Sequence, residues 1–335
     1  MKLTFEQIKS IVRGSVMTES TAEGIRFHRF TQEEEKYYEY NPDFLLKALA
    51  ASGVQAEFTT DAEEIKIEAE LVPGSSRKFF AFDIFVNGTL YAQLKNFDMP
   101  MENGVYTTAD YPLGVHSGAF KLPDGEKTVR IVFPWTVQVS LKELTLNGAS
   151  FVKPIKRDRL YIAYGDSITQ GYDAVSPSAS YANRLAEALG AEIINKGIGA
   201  EVFRPELAAL ADSSLKPSLI TVAYGTNDWS KRGKEEYESS CIGFYKNLCE
   251  RYPDTPVFAI SPIWRKDYMD YRPFGSFDGV HEIFRKMCEQ CPGVTLINPW
   301  EFVPHDVKYY SDLYLHPNDE GFERYAKGLI GSIVK

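Results

Sequence analysis

The stretch LYIAYGDSITQGY, residues 160–172, joins an apolar run of strand character to three residues that favour turns. Gly165, Asp166 and Ser167 are residue types that strands normally exclude. The tripeptide has two interpretations. Either an ordinary turn ends the strand, or the turn presents the Ser167 hydroxyl at the end of a sheet, where a substrate can reach it. The residues that follow the neighbouring strands decide between the two.

Length and composition restrict the class of protein. A chain of 335 residues is long enough for two domains, and 44% apolar and 25% charged residues are ordinary for a globular protein. The net charge of −9 and the lack of a basic stripe argue against a nucleic-acid partner. No run of about 18 apolar residues predicts a membrane span. The stretch after Met1 lacks the apolar core of a signal peptide, so we expect a cytoplasmic protein. The sequence predicts no oligomeric state.

The four cysteines are too few to crosslink a chain of this length. Cys288 and Cys291 have the C-x-x-C spacing of a zinc or redox pair. A tetrahedral zinc site needs two further ligands, and the neighbouring sequence does not provide them. We therefore expect the pair to lie at the end of a helix, and we expect neither a metal ion nor another cofactor.

Between residues 54 and 146 the chain consists of short runs in which apolar and polar residues alternate. The run EIKIEAELV, for example, places Ile65, Ile67, Ala69 and Leu71 on one face. Turn signals such as the dipeptide at 87–88, Asn-Gly, separate the runs. The pattern predicts an antiparallel β-sandwich of jelly-roll type, preceded by a short helix, over residues 1–153.

After residue 157 the pattern changes. Apolar strand candidates without alternation occur at 160–164, 191–195, 218–223, 256–260 and 294–297, and helical stretches separate them. Such strands indicate parallel βαβ units with helices on both faces of the sheet. The sequence therefore predicts an α/β fold, a doubly wound and mostly parallel sheet, over residues 154–335.

Polar residues follow four of these elements, where open α/β sheets form their sites. Ser167 follows the first strand, and the glycines of NKGIGA, residues 195–200, follow the second. Asn227 of GTND follows the third, and His316 of HPNDEG precedes the final helix. A nucleophile, backbone donors, an amide donor and an imidazole are thus expected on one rim of the sheet.

These four segments, in this order, resemble the blocks of the SGNH/GDSL hydrolase family over roughly residues 158–335. The resemblance implies a flavodoxin-like three-layer fold and hydrolysis of an ester by a serine nucleophile. It implies that Ser167 is the nucleophile and His316 the general base. It also implies that the Ser167 N–H, a glycine-block N–H and the Asn227 side chain donate to the oxyanion. The other histidines lie outside the matched blocks: His28, His116, His281 and His305.

The histidine block departs from the family pattern. The family usually has its orienting aspartate three residues before the histidine, where this sequence has Leu313; Asp312 lies four residues before His316. Either Asp312 orients the imidazole, or a backbone carbonyl does and the enzyme is a Ser–His dyad. In the first case the Asp312 carboxylate should lie about 2.6–3.2 Å from His316 Nδ1.

The glycine block departs as well. The family often has its oxyanion glycine where this sequence has Ala200, with Gly199 directly before it. Either residue can offer its N–H, and the alanine can do so if its φ is negative. Asp166 is expected to be a hydrogen-bonding turn residue rather than a catalytic acid.

A β-sandwich ahead of such a domain resembles the arrangement in carbohydrate esterases of family 2, which implies removal of O-acetyl groups from sugars. The substrate would be a small-molecule or oligosaccharide ester. Four side chains near the blocks are candidates for sugar contacts, with ordinary packing as the alternative: Tyr172, Trp229, Trp264 and Arg265. Asp267 could pair with Arg265 or contact substrate hydroxyls. Other interpretations are a general short-chain acyl or thioester hydrolase, or a non-catalytic sugar-binding relative.

Overall fold

The computed structural model describes residues 1–98, 101–102, 105–106 and 111–334. The amino-terminal half begins with α1 (Phe5–Ile11), and α2 (Gln32–Tyr38) and α3 (Pro42–Ala48) follow. Its strands, in chain order, are β1 (Val12–Arg13), β2 (Met17–Ser20), β3 (Ile25–His28), β4 (Gln55–Thr60), β5 (Glu64–Pro73), β6 (Ala81–Val86), β7 (Thr89–Lys95), β8 (Met101–Glu102), β9 (Val105–Tyr106), β10 (Gly114–Lys121), β11 (Lys127–Val132), β12 (Val137–Asn147) and β13 (Val152–Pro154).

Two antiparallel sheets face each other in this half. One has the order β1-β4-β11-β6-β7, with β13 also paired to β4, and the other has the order β10-β5-β12-β3-β2. Burial alternates along β5 as the sequence predicts, and its inward residues share one apolar core with Phe58, Ile84 and Ile131 of the facing sheet. The Asn87-Gly88 turn, with φ of 49° and 82°, closes the hairpin between β6 and β7. The predicted β-sandwich is confirmed.

The carboxy-terminal half alternates strands and helices. Its strands are β14 (Arg159–Gly165), β15 (Ala191–Gly197), β16 (Leu219–Ala223), β17 (Val257–Ile260) and β18 (Val294–Ile297). Its helices are α4 (Ser167–Gln170), α5 (Tyr181–Leu189), α6 (Pro205–Ala209), α7 (Thr226–Lys231), α8 (Lys234–Arg251), α9 (Gly279–Gln290) and α10 (Asp319–Ile333), with 3₁₀ turns at Pro177–Ala179 and Val307–Tyr309.

The five strands of this half form one sheet in the order β15-β14-β16-β17-β18, and all neighbouring strands in it are parallel. This is the 2-1-3-4-5 order of flavodoxin-like sheets, so the predicted doubly wound fold is confirmed. Helices cover both faces: Tyr161 and Ala163 of β14 pack with α5 and α10, whereas Ile162 and Tyr164 pack with α8 and α9. The order reverses beside β14, which places the end of that strand at the crevice where such sheets bind ligands.

Two glycines allow α4 to lie directly on the ends of β14 and β15. A Cβ at Gly165 would lie 1.9 Å from Thr169 Oγ1, and one at Gly197 would lie 2.3 Å from Gln170 N. Both distances are far below any allowed contact, so only glycine fits at either position. The close approach explains why the apolar run at 160–164 ends in glycine.

The cysteines lie in and beside α8 and α9. Cys288 is in the last turn of α9 and Cys291 directly follows this helix, as the sequence predicts for the C-x-x-C pair. All four thiols are free, and burial raises the pKa of Cys291 to about 11. The one group of potential metal ligands within 4.8 Å of one another, in the part of the chain that the structure describes, contains no cysteine. These features favour a packing role for the pair.

The sequence did not predict α2 and α3, which pack against the parallel-sheet half. Phe30, Tyr38 and Phe44 share a small apolar cluster with Ile198 and Leu207. The segment between β3 and β4 thus contacts the chain directly after β15. The boundary at 153/154 stays a prediction. Among the described helices, none has both the length and the apolar character needed to cross a bilayer.

Arg29 joins this segment to β15. The side chain is fully buried and donates to the carbonyl oxygens of Ala50 (2.6 Å), Lys47 (2.7 Å) and Gly197 (3.2 Å), and to that of Asn195. Burial lowers the pKa of Arg29 to about 9, so the group is still cationic at neutral pH. One buried cation therefore satisfies carbonyls from both halves of the molecule.

We expect Arg29→Ala to lower the free energy of unfolding by at least about 3 kcal/mol, because several buried carbonyls would each lose a donor at about 1–3 kcal/mol. Denaturant unfolding followed by circular dichroism measures the change. Arg285→Ala is the matched control, since Arg285 is exposed on α9, where its pairs with Glu282 and Glu289 are solvent-exposed. A loss at Arg29 as small as that at Arg285 would contradict the buried-cation account.

Candidate active site

The turn after β14 positions Ser167. Asp166 is the N-cap of α4, and its Oδ1 accepts the Ile168 N–H at 3.0 Å. Ser167 is therefore the first residue of a helix that begins at the carboxyl end of β14. Burial raises the pKa of Asp166 to about 6, and its carboxylate serves the turn, as the sequence predicts.

Ser167 and His316 are in direct contact, although 149 residues separate them in the chain. Ser167 Oγ lies 2.8 Å from His316 Nε2. His316 lies on the loop before α10, whose start is fixed by Asn318, because the Asn318 Oδ1 accepts the Gly321 N–H at 2.9 Å. The nucleophile candidate and the base candidate thus have the hydrogen bond that a serine hydroxyl needs to lose its proton.

Asp312 lies on the other side of the imidazole. Its Oδ2 is 2.7 Å from His316 Nδ1, within the range set by the sequence analysis. Its Oδ1 accepts three backbone N–H groups, those of Tyr314 (2.9 Å), Leu315 (2.7 Å) and His316 (3.1 Å). Asp312 lies four residues before His316 rather than three, and the loop accommodates the extra residue through Leu313, whose φ is 54°. The three N–H groups fix the carboxylate in one orientation.

The charges around His316 favour its protonated form. Burial of the ring lowers its pKa, but the Asp312 hydrogen bond and the negative charges of Asp173 and Asp312 outweigh burial, and the pKa lies above the usual 6.5. Burial raises the pKa of Asp312, but the hydrogen bond from His316, the charge of His316 and the backbone N–H groups of Leu315 and His316 together outweigh burial, so that pKa is lowered. An imidazolium formed by accepting the serine proton would therefore be stabilised in place.

Asp173 is a second carboxylate at this ring, and the sequence motifs do not predict it. Its Oδ2 lies 3.6 Å from His316 Nδ1, and the side chain is fully buried. Arg77 binds it with two hydrogen bonds, from Nε (2.9 Å) and Nη2 (3.2 Å). Asp173, Asp312 and His316 are the group close enough to share a metal ion in the described part of the chain, but Arg77 already binds the Asp173 carboxylate. The position of Asp173 six residues after Ser167 is the one signal that the sequence offers.

One face of α7 holds the loop after β15. Asn227 Nδ2 donates to the Glu201 carbonyl (3.0 Å), and Lys231 Nζ donates to the Ala200 carbonyl (2.7 Å). Residues four apart in a helix lie on the same face, so both bonds reach the same loop. An amide nitrogen carries two N–H groups, and this contact uses one of the two on Asn227.

The prediction of Gly199 as an oxyanion donor is wrong. Its N–H donates to Gln170 Oε1 at 2.8 Å, and its carbonyl accepts from Lys47 Nζ at 3.1 Å. The φ of Ala200 is 71°, in the left-handed region, so the negative φ given as the condition for this donor is not met, although the N–H has no acceptor among the described residues and remains available.

Trp229 and Arg265 are enclosed by protein. Trp229 is fully buried, its indole N–H donates to the Gly275 carbonyl (3.1 Å), and the Arg265 guanidinium lies 4.9 Å from its ring centroid. Arg265 is 5% exposed and pairs with Asp267, with Nη2 to Oδ2 at 3.0 Å. No face of Trp229 is open to a sugar, so the sugar-contact hypothesis is wrong for this pair.

The other two aromatic candidates differ from each other. Trp264 is 7% exposed and stacks on His305, with ring centroids 5.7 Å apart, so its role is packing. Tyr172 is 5% exposed and lies between Trp135 (4.8 Å) and the His316 ring (5.5 Å). Tyr172 therefore forms part of the wall beside the imidazole.

We expect Ala200→Gly to raise the free energy of unfolding by about 0.5–1 kcal/mol. Relief of the left-handed alanine stabilises the folded state by about 1–2 kcal/mol, and the greater flexibility of glycine in the unfolded chain offsets part of this stabilisation. Ala188→Gly, at an exposed right-handed position in α5, should lower it by about 0.5–1 kcal/mol. Denaturant unfolding of both variants tests the sign. Destabilisation by both would contradict a strained Ala200.

The site lies in a segment that matches a known protein family. Residues 163–324 match the model of the GDSL-like lipase/acylhydrolase family. No curated protein matches the sequence.

Solved structures share the fold of both halves. The chain is similar to a salicylyl-acyltransferase from a tetracycline biosynthetic pathway, with 22% identity and a TM-score of 0.75 over 96% of this chain and 95% of that one. It is similar to a family two carbohydrate esterase from Cellvibrio japonicus, with 17% identity and a TM-score of 0.64 over 98% and 95%.

A family two carbohydrate esterase from Clostridium thermocellum, in complex with cellohexaose, has 17% identity and a TM-score of 0.63 over 85% of this chain and 92% of that one. These likenesses show that the sandwich and the parallel-sheet domain occur together in other proteins. Residues 163–324, just under half of the chain, therefore form a domain of the GDSL-like lipase/acylhydrolase, or SGNH hydrolase, type, and this domain supports an ester-bond hydrolase.

Proposed function

We propose that the protein is a serine esterase that removes short acyl groups, and O-acetyl groups in particular, from a carbohydrate. The observation that carries the catalytic part is the unbroken chain of hydrogen bonds from Ser167 Oγ through His316 to Asp312, at 2.8 and 2.7 Å. A relative that had lost its activity would not need to keep this geometry.

The first step is attack by Ser167. The Nδ1–H of His316 donates to Asp312, which leaves the Nε2 lone pair facing the serine proton. As Oγ attacks the ester carbonyl carbon, Nε2 takes that proton, a transfer that contributes about 10²–10⁴ to the rate. The imidazolium then gives the proton to the departing sugar oxygen. Water, activated by the same imidazole, releases the acid from the acyl-enzyme and restores Ser167.

Three donors would stabilise the oxyanion. Ser167 is the first residue of α4, so its N–H has no partner within the helix. The Ala200 N–H and the second N–H of Asn227 are the other two. Lys231 and Asn227 hold the loop that carries Ala200, so its donor is in place before the reaction and costs no reorganisation during it.

The carbohydrate part of the proposal is supported by the shared two-part architecture. Family two carbohydrate esterases have a similar fold over most of this chain, and one of them was solved with cellohexaose. The alternative is a general short-chain acyl or thioester hydrolase that uses the same residues.

Acetylated xylo-oligosaccharides and cello-oligosaccharides test the substrate class. We expect the wild-type protein to release acetate from them and to favour acetyl over octanoyl nitrophenyl ester. A chelator should leave both activities intact. Ser167→Ala and His316→Ala should each remove nearly all turnover, and the double variant should lose no more, because the two act as a unit. Turnover of nitrophenyl acetate without acetate release from sugars would favour the general hydrolase. Turnover by Ser167→Ala would refute the serine mechanism.

We expect Asp312→Asn to lower kcat by about 10³–10⁴ with little change in KM. The three backbone N–H groups that hold Oδ1 would select the amide oxygen, so the amide nitrogen would face His316 Nδ1 and impose the wrong tautomer. Asp306→Asn is the matched control, because Asp306 caps the neighbouring 3₁₀ turn through the Lys308 N–H (3.0 Å) and does not touch the imidazole. A loss below tenfold at Asp312 would show that another group orients the ring.

A further inference from the structure

We propose that Arg77 of the sandwich half and Asp173 act together as positioning residues for His316. In this proposal Arg77 fixes a second carboxylate beside the imidazole and offsets its charge, so that the ring stays free to accept the serine proton. The inference rests on the proposed function, in which His316 is the general base.

The Asp173 carboxylate acts on the ring through its charge rather than through a hydrogen bond. Its Oδ2 lies 3.6 Å from His316 Nδ1, beyond hydrogen-bond range, and the Nδ1 proton is already directed at Asp312. A full negative charge at this distance in a buried site still has a large effect on an imidazole.

Several contacts hold Asp173 in this position. The residue is fully buried with a φ of 70°, and its backbone carbonyl accepts the Ser311 hydroxyl at 3.1 Å. A non-glycine residue keeps such a backbone conformation only where its surroundings enforce it. The paired hydrogen bonds from the Arg77 fork orient the carboxylate, in the geometry that arginine and carboxylate prefer.

Arg77 also contacts the wall of the site. Its guanidinium carbon lies 5.7 Å from the Tyr172 ring centroid, and the N–H of Ser76 donates to the Tyr172 hydroxyl at 3.4 Å. The Tyr172 ring lies against His316. The segment between β5 and β6 thus supports the imidazole both through Asp173 and through Tyr172.

Among the described residues, four charged groups act on His316. Asp312 lies on its own loop, Asp173 on the loop after α4, Arg77 on the sandwich segment and Asp166 at the start of α4. Burial lowers the pKa of His316, the Asp312 hydrogen bond and the charges of Asp173 and Asp312 raise it, and the charge of Arg77 lowers it. Without Arg77, the charges of the two carboxylates would raise the pKa of the ring further, and a protonated ring cannot act as the base.

The signs of these effects give the test. A fluorophosphonate probe forms a bond from phosphorus to Ser167 Oγ with loss of fluoride, and the reaction needs neutral His316. The inactivation rate therefore falls as pH falls through the pKa of His316. Asp173→Asn should move this low-pH fall in the inactivation rate, the acid limb, to lower pH by roughly half a unit to one unit, because it removes a nearby negative charge. Arg77→Met should move it to higher pH by roughly half a unit to one unit. The double variant should lie close to the wild type.

Two further variants separate charge from packing. Arg77→Lys keeps the positive charge and should return the limb toward the wild-type position, even if the rate is lower. Arg130→Met removes another arginine that joins the two halves, through Glu187 at 3.0 Å, and should leave the limb unchanged.

The proposal is supported if the acid limbs of Asp173→Asn and Arg77→Met shift in opposite directions and the limb of the double variant returns to the wild-type position. It is overturned if the acid limbs of all variants coincide with that of the wild type. If Arg77→Met does not fold, the isosteric Asp173→Asn decides alone, and an unshifted limb overturns the proposal. A wild-type protein that neither reacts with the probe nor hydrolyses acetyl esters would instead refute the proposed function.

Discussion

The direct contact of α4 with the ends of β14 and β15 is the constraint on which the site depends. Gly165 and Gly197 have no side chain, so the first turn of α4 can reach the backbone of both strands. That contact places Ser167 at the reversal of strand order, with its N–H unused by the helix. Any larger residue at either glycine would displace the serine from His316 and from the loop that carries Ala200.

The sandwich half is more than an appended module, because its side chains reach the rim of the parallel sheet. Arg29 binds carbonyls of β15, Lys47 binds the Gly199 carbonyl, and Arg77 binds Asp173. Each is a cation that meets a carbonyl or carboxylate oxygen from a loop or strand end of the catalytic half. The geometry of the site is therefore a property of the whole chain.

Features that depend on short segments of the sequence could be predicted from it. Four blocks pointed to Ser167, Ala200, Asn227 and His316 as candidates, and the structure brings Ser167 and His316 into contact. The periods of the apolar residues predicted both sheet systems. The one-residue offset of Asp312 left two outcomes open, because the answer depends on the positive φ of Leu313, a conformation that leucine disfavours.

What the sequence could not give are contacts between distant segments. Arg77 and Asp173 are 96 residues apart, and neither stands in a pattern that pairs them. Proximity to a motif was also a poor guide to exposure: Trp229 lies two residues after Asn227 and is fully buried. Strain was equally hidden. Of the four non-glycine residues with positive φ in the described chain, Asp173, Ala200 and Leu313 lie at the site and only Asn87 forms a hairpin turn.

The central claim is that Ser167 is the one nucleophile that the fold activates. Peptide mass spectrometry of the protein after reaction with one equivalent of a fluorophosphonate tests it most directly. The account predicts a single adduct, on the peptide that contains Ser167, and loss of that adduct when His316 is replaced by alanine. An adduct on another residue, or labelling of Ser167 that does not depend on His316, would contradict it.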